Sequence, residues 1–195
     1  MKINSIAVFC ASSDGNKAVY RDTAFQLGVA LAKRNITLIY GGATVGSMGA
    51  VAEGALSENG KVIGVLPHFL DKREIAHFNL TELIMVESMH ERKLKMNELS
   101  DAFITLPGGF GSMEELFEII TWGQLGLHKK ASVLFNVNSY YDHMVAQLKH
   151  MNQEGMLKQE YLDMLMVSDS VEDTLNKIDN YKAPELEAWL TEKKT

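Results

Sequence analysis

Short, uninterrupted apolar runs alternate with longer amphipathic stretches along almost the whole chain, and that alternation most restricts how it can fold. The short runs are Ser5–Cys10, Ile36–Tyr40, Lys61–Leu66, Glu82–Val86, Ala102–Leu106, Ala131–Asn136 and Leu165–Val167. Several are apolar at successive rather than alternate positions, the pattern of strands covered on both faces. Between them, apolar residues recur at helical spacing: Tyr20, Ala24, Leu27 and Leu31; Met113, Leu116, Phe117 and Ile120; Tyr140, Met144 and Leu148; Val171, Leu175 and Ile178. The alternation predicts a doubly wound α/β fold, a parallel sheet with helices on both faces. The 195 residues suit one domain, expected over residues 1–182, with little left for a second. The polar stretch Asp71–Leu80 reads as a loop. The charged end, residues 183–195, reads as a tail or short helix that Pro184 could begin.

Composition narrows the partners. The net charge of −6 gives no general attraction for nucleic acid or an anionic membrane, so an anionic ligand needs a local site. No window of apolar residues is long enough to span a bilayer, and the first apolar stretch is too short for a signal peptide. The one cysteine, Cys10, excludes an intrachain disulfide and fits a reducing compartment, hence a cytoplasmic location. It ends an apolar run and reads as a small core residue. The six histidines show no metal-ligand spacing, and no metal site is expected.

Three strands end in turns of glycine or small polar residues. In a doubly wound sheet, ligands bind beyond the carboxyl ends of the strands, so these turns should gather on one edge. Cys10-Ala11-Ser12-Ser13-Asp14-Gly15 follows the first strand, and Ser12 and Ser13 are candidate ligand contacts. Tyr40 to Gly49 follows the second and holds Gly-x-x-x-Gly-x-x-Gly spacing, which fails the dinucleotide fingerprint. Pro107-Gly108-Gly109-Phe110-Gly111-Ser112 follows the fifth. Pro107 cannot donate to the sheet ladder, and the glycines permit close approach to the backbone. Ser112 is expected where a helix begins, so free N–H groups, the helix dipole and a hydroxyl would converge on a phosphate. The other reading is that all three are tight strand-to-helix connections. No Gly-Lys-Ser/Thr follows, so this is not a P-loop.

Two charged residues near these turns have two readings each. Glu115 lies three residues after Ser112, the spacing of a capping box, or it is a carboxylate facing the sugar attached to a bound phosphate. Glu114 points about 100° away and is expected in solvent. Arg92 shares an apolar stripe with Met89, Met96 and Leu99. It either snorkels to water or aims its guanidinium into the site, toward phosphate or Glu115. Lys93 borders that stripe. Glu74, in the polar loop, is by itself an ordinary surface carboxylate.

These residues carry a resemblance. Pro107-Gly108-Gly109-Phe110-Gly111-Ser112-Met113-Glu114-Glu115 resembles the PGGxGTxxE motif of the LOG ("lonely guy") family, and Met89-His90-Glu91-Arg92-Lys93 resembles its MHxRK signature. The similarity runs from Phe9 through Thr121-Trp122-Gly123-Gln124-Leu125-Gly126 to Asn136. It implies a Rossmann-like homodimer that hydrolyses the N-glycosidic bond of purine nucleoside 5′-monophosphates, AMP or N6-modified, without metal or organic cofactor. It implies Arg92 and Glu115 as the catalytic pair, and Glu74, Lys93, Gly109, Phe110, Gly111, Ser112 and Thr121 as nucleotide contacts. Ser112 replaces the usual threonine and keeps its hydroxyl. Ala11 and Ala43 stand where glycine is common, and Ser47 where leucine is common.

Cleavage of such a bond passes through an oxocarbenium-like sugar, which a carboxylate at Glu115 would stabilise while accepting a proton from water. Two other functions compete. A nucleotide- or cofactor-carrying protein would keep the phosphate turns and turn nothing over. An amino-acid decarboxylase would need a lysine in a Schiff-base context, and none stands out.

Overall fold

The computed structural model describes residues 2–70, 77 and 79–185. Its core is a seven-stranded, wholly parallel sheet in the order β4-β3-β2-β1-β5-β6-β7. The strands are β1 (Ser5–Phe9), β2 (Thr37–Tyr40), β3 (Val62–Pro67), β4 (Glu82–Val86), β5 (Ala102–Thr105), β6 (Ala131–Phe135) and β7 (Leu165–Ser168). The helices are α1 (Ala18–Lys33), α2 (Gly46–Ser57), α3 (Met89–Leu99), α4 (Phe110–Gln124), α5 (Asp142–Gln153), α6 (Gln159–Leu162) and α7 (Val171–Asp179). This is the doubly wound Rossmann-like fold predicted above, in one domain.

Successive strand residues face opposite layers, which is why the runs are apolar without interruption. Ile6, Val8, Leu38, Tyr40 and Ile104 pack against Ala24, Leu27 and Leu31 of α1 and Ala50 and Val51 of α2. Ala7, Phe9, Ile39 and Phe103 pack against Met96 of α3 and Ile119 of α4. The chain winds from β1 toward β4 on one side, then crosses back to put β5 on the other side of β1. The crevice between the ends of β1 and β5 is the topological switch point, where such folds bind ligands.

The structure departs from the sequence reading at three places. Residues Gly46–Gly49, expected in the turn after β2, open helix α2. A glycine-rich helix has poor intrinsic propensity, but α1 crosses α2 so closely that side chains would not fit. A Cβ on Gly28 would lie 2.1 Å from the Val51 carbonyl oxygen, and one on Gly54 would lie 2.0 Å from that of Phe25. Gly46, at φ +59°, packs against the Ser12 backbone. Gly46 and Gly54 therefore answer close backbone packing. Tyr140 precedes α5 instead of belonging to it, and the single-turn α6 carries no stripe long enough to read. Residues 71–76 and 78 of the loop, with Glu74, lie outside the described residues, as do residues 186–195; residues 183–185 carry no regular structure. Among the described residues no helix is long and apolar enough to cross a membrane.

Candidate active site

A cavity of about 340 Å³ opens at the switch point. Cys10 to Ser13 from the end of β1, Met48 of α2, Met89 and Arg92 of α3, and Gly109 to Ser112 with Glu115 from the start of α4 line it. The first and third turns of the sequence reading thus meet around one space.

Ser88 sets the rotation of α3. Its side chain accepts from the Glu91 N–H at 3.1 Å, and the Glu91 carboxylate accepts from the Glu87 N–H at 2.8 Å, closing the first turn from both ends. Arg92 then faces the cavity and is only 7% exposed, so it does not snorkel. Its Nη2 lies 3.7 Å from Glu115 Oε1, an ion pair at more than hydrogen-bond distance, and Glu115 is 6% exposed. Nη1 donates to the Met89 sulfur at 3.8 Å, a weak acceptor. Nε is buried and has no hydrogen-bond partner among the described residues. A guanidinium with donors left over inside a cleft is built for a polar ligand. Gly41 makes the room: a Cβ there would stand 2.2 Å from Nη2 and 2.7 Å from the Met48 sulfur.

Helix α4 opens with Gly109 as N-cap and no side chain capping it. Ser112 is the third helical residue rather than the cap, so the capping-box reading of Glu115 does not hold. The first helical bond is Met113 N–H to the Gly109 carbonyl, which leaves the N–H groups of Phe110, Gly111 and Ser112 without helical acceptors. No acidic residue occupies the first turn. The positive end of the dipole therefore faces the cavity unopposed. Gly109 and Gly111 stand out among the glycines. Neither has positive φ, and a Cβ on either would meet nothing within 4 Å. Nothing in the fold demands glycine there, whereas a ligand lying against the backbone would. Gly108 differs, because its Cβ would collide with the Ser112 hydroxyl at 2.1 Å.

Other candidates lie elsewhere. Lys93, 4% exposed, turns away from the cavity to pair with Glu114 and, at 3.0 Å, with Glu118. Burial works against its charge, but the two carboxylates outweigh it and raise its pKa. Glu114 is consequently tied down rather than simply solvated. Thr121 is exposed, and its hydroxyl donates to the Phe117 carbonyl at 2.6 Å. It does not reach this cavity. Phe110 lines the mouth with its ring almost wholly in solvent. Cys10 is buried, and desolvation, helped by Glu115 and opposed by Arg92, pushes its thiol far up, so it is no nucleophile. The lining residues Ala11, Met48 and Met89 were not anticipated, since apolar side chains give no local signal. Among the described residues no group of His, Cys, Asp and Glu could hold a metal ion, and no lysine lines the cavity.

Residues 48–178 match a family model described as "Possible lysine decarboxylase". A probable cytokinin riboside 5′-monophosphate phosphoribohydrolase of Oryza sativa subsp. japonica is 43% identical over 92% of this chain and 81% of its own length. A cytokinin riboside 5′-monophosphate phosphoribohydrolase of Arabidopsis thaliana is 41% identical over 92% of this chain and 84% of its own. Among solved structures, a molybdenum cofactor binding protein from Rippkaea orientalis superposes with a TM-score of 0.67 at 21% identity, over 92% of this chain and 97% of its own, a likeness of fold. By these similarities the chain belongs to the LOG family, the cytokinin riboside 5′-monophosphate phosphoribohydrolases.

Proposed function

We propose that this protein is a hydrolase that cleaves the N-glycosidic bond of purine nucleoside 5′-monophosphates, AMP or its N6-modified forms, to free base and ribose 5-phosphate. The observation that carries the reading is the buried Arg92–Glu115 pair at 3.7 Å, one helical turn from an uncapped helix N-terminus whose glycines have open space before them. The phosphate sits against Gly109 to Ser112, and Ser12 and Ser13 border it. Glu115 stabilises the oxocarbenium-like sugar and takes a proton from the attacking water. Arg92 pairs with Glu115 and orients the nucleotide. Binding energy from the phosphate fixes the sugar against Glu115, so a nucleoside lacking it is a poor substrate.

The test is chromatographic. Purified protein is incubated with AMP, isopentenyl-AMP, GMP and adenosine, and free base is measured. The expected result is base released from at least one adenine monophosphate and, at equal concentration, at least about 100-fold less from adenosine. AMP bound tightly with no base released would replace the hydrolase by a carrier.

The active form is a homodimer. Phe110, Phe117, Thr121 and Leu125 form one outward stripe along α4, and Leu94 of α3 and Leu127 expose further apolar surface. Such a patch is the mark of an interface. A second copy on this stripe also gives Thr121 a nucleotide to meet, the one held by its partner. Light scattering is expected to give twice the 21.7 kDa chain mass, and Phe117→Glu to give the monomer. A monomeric wild-type protein at micromolar concentration rejects the dimer. The lone, buried Cys10 supports a reducing, cytoplasmic setting.

A further inference from the structure

Two adjacent tyrosines reach back to the glycine turn from the far side. The Tyr140 hydroxyl donates to the Gly108 carbonyl at 2.9 Å, and the Tyr141 hydroxyl donates to the Leu106 carbonyl at 2.7 Å. The two bonds look equivalent, but the peptides they hold are not. Leu106 is followed by Pro107, whose nitrogen carries no hydrogen, so the Tyr141 bond to that carbonyl aims no N–H into the site; the same hydroxyl also meets the Gly108 backbone, ahead of the peptide that Tyr140 holds. Gly108 is followed by Gly109. A trans peptide is planar, and its N–H points opposite to its C=O. Holding the Gly108 oxygen toward Tyr140 therefore turns the Gly109 N–H away from Tyr140. Gly108 and Tyr140 line an adjoining hollow of about 150 Å³ and not the main cavity, and Ala11, Ser13 and Gly109 border both.

The geometry points to Tyr140 as a positioning residue for the anion end of the site, one that aims the Gly109 N–H at the bound phosphate. This rests on the phosphate reading of the turn given above. The segment that delivers Tyr140 is built at some cost. Asn138 and Ser139 are consecutive non-glycine residues at φ +50° and +58°. Such conformations persist only where the surroundings impose them. Here Asn136 accepts from the Tyr141 N–H at 2.6 Å and donates to Asp142 at 2.7 Å. The Tyr140 ring is wedged edge-on between Tyr20 and Tyr141, at centroid distances of 5.7 and 4.8 Å. Its hydroxyl is thus held by packing that a phenylalanine would keep.

The experiment compares Tyr140→Phe, Tyr141→Phe and wild type. It reads the KM for AMP and the inhibition constants of inorganic phosphate and of adenosine. For Tyr140→Phe, the AMP KM and the phosphate inhibition constant are expected to rise roughly fivefold, the worth of one net hydrogen bond. Its adenosine constant and Tm are expected to stay at wild-type values. Tyr141→Phe, which strips a buried hydroxyl, is expected to lower Tm without separating phosphate from adenosine. Equal changes for phosphate and adenosine in Tyr140→Phe, or no change in either, overturn the inference and leave the phosphate reading standing. If inorganic phosphate fails to compete with AMP in wild type, the phosphate reading itself falls.

Discussion

Replacing Glu115 with glutamine is expected to cut base release from a nucleoside monophosphate about 10³-fold, with the protein still folded. Glutamine fills the same volume, so neither the cavity nor the packing of α4 changes. What disappears is a negative charge in a place where water screens it poorly. That charge is matched to a positive charge present only as the glycosidic bond breaks, so its loss falls on turnover rather than on binding. The helix end is indifferent to the change, because Gly109 is the N-cap and no side chain closes it. Folding is not wholly indifferent, because Arg92 loses its carboxylate in a site where both partners are more than nine-tenths buried. A modest fall in Tm is therefore expected alongside the loss of rate. The two readouts separate the roles. A Glu115→Gln protein that melts lower yet keeps more than about a tenth of wild-type turnover would make the carboxylate a structural counterion and end its assignment as the catalytic group.

What was legible in the sequence depended on whether the controlling interaction is local. The strands were legible because sandwiching between two helix layers demands apolar residues on both faces of each strand. Arg92 was legible because a charge in the stripe of Met89, Met96 and Leu99 has few outlets. Helix α2 was not, and the reason is physical. Nearly every residue from Gly46 to Ala55 is buried, so the helix has no polar face to create a period. Glycine was misleading for the same reason. At Gly46 and Gly54 it answers a neighbouring backbone, and at Gly109 and Gly111 nothing in the chain, but the letters are identical. The path of Lys93 to Glu114 and Glu118, and the reach of Tyr140 and Tyr141 back to carbonyls 32 and 35 residues earlier, are set by how helices dock. No local pattern encodes them.

The second large effect is expected at Arg92, and the crowded space around it makes the prediction specific. Arg92→Ala removes the cation that lies 3.7 Å from a buried carboxylate and is expected to lower turnover by about two to three orders of magnitude. Arg92→Lys is not expected to restore the rate. The guanidinium packs over Gly41 with Nη2 only 2.2 Å from where a Cβ would stand, and a tetrahedral ammonium on a flexible stem neither fills that slot nor keeps the fork of donors. The same geometry predicts that Gly41→Ala, at a position without positive φ, acts on catalysis through Arg92. Its methyl would stand 2.2 Å from Nη2, so the guanidinium must shift and its pairing with Glu115 is disturbed. Alone, Gly41→Ala should slow turnover at least about tenfold; in the Arg92→Ala background it should cost little more, because the group it displaces is already absent. Additive losses in that double-mutant cycle would mean that Gly41 shapes the loop for its own sake, and that the pairing of Arg92 with Glu115 does not depend on the space Gly41 leaves.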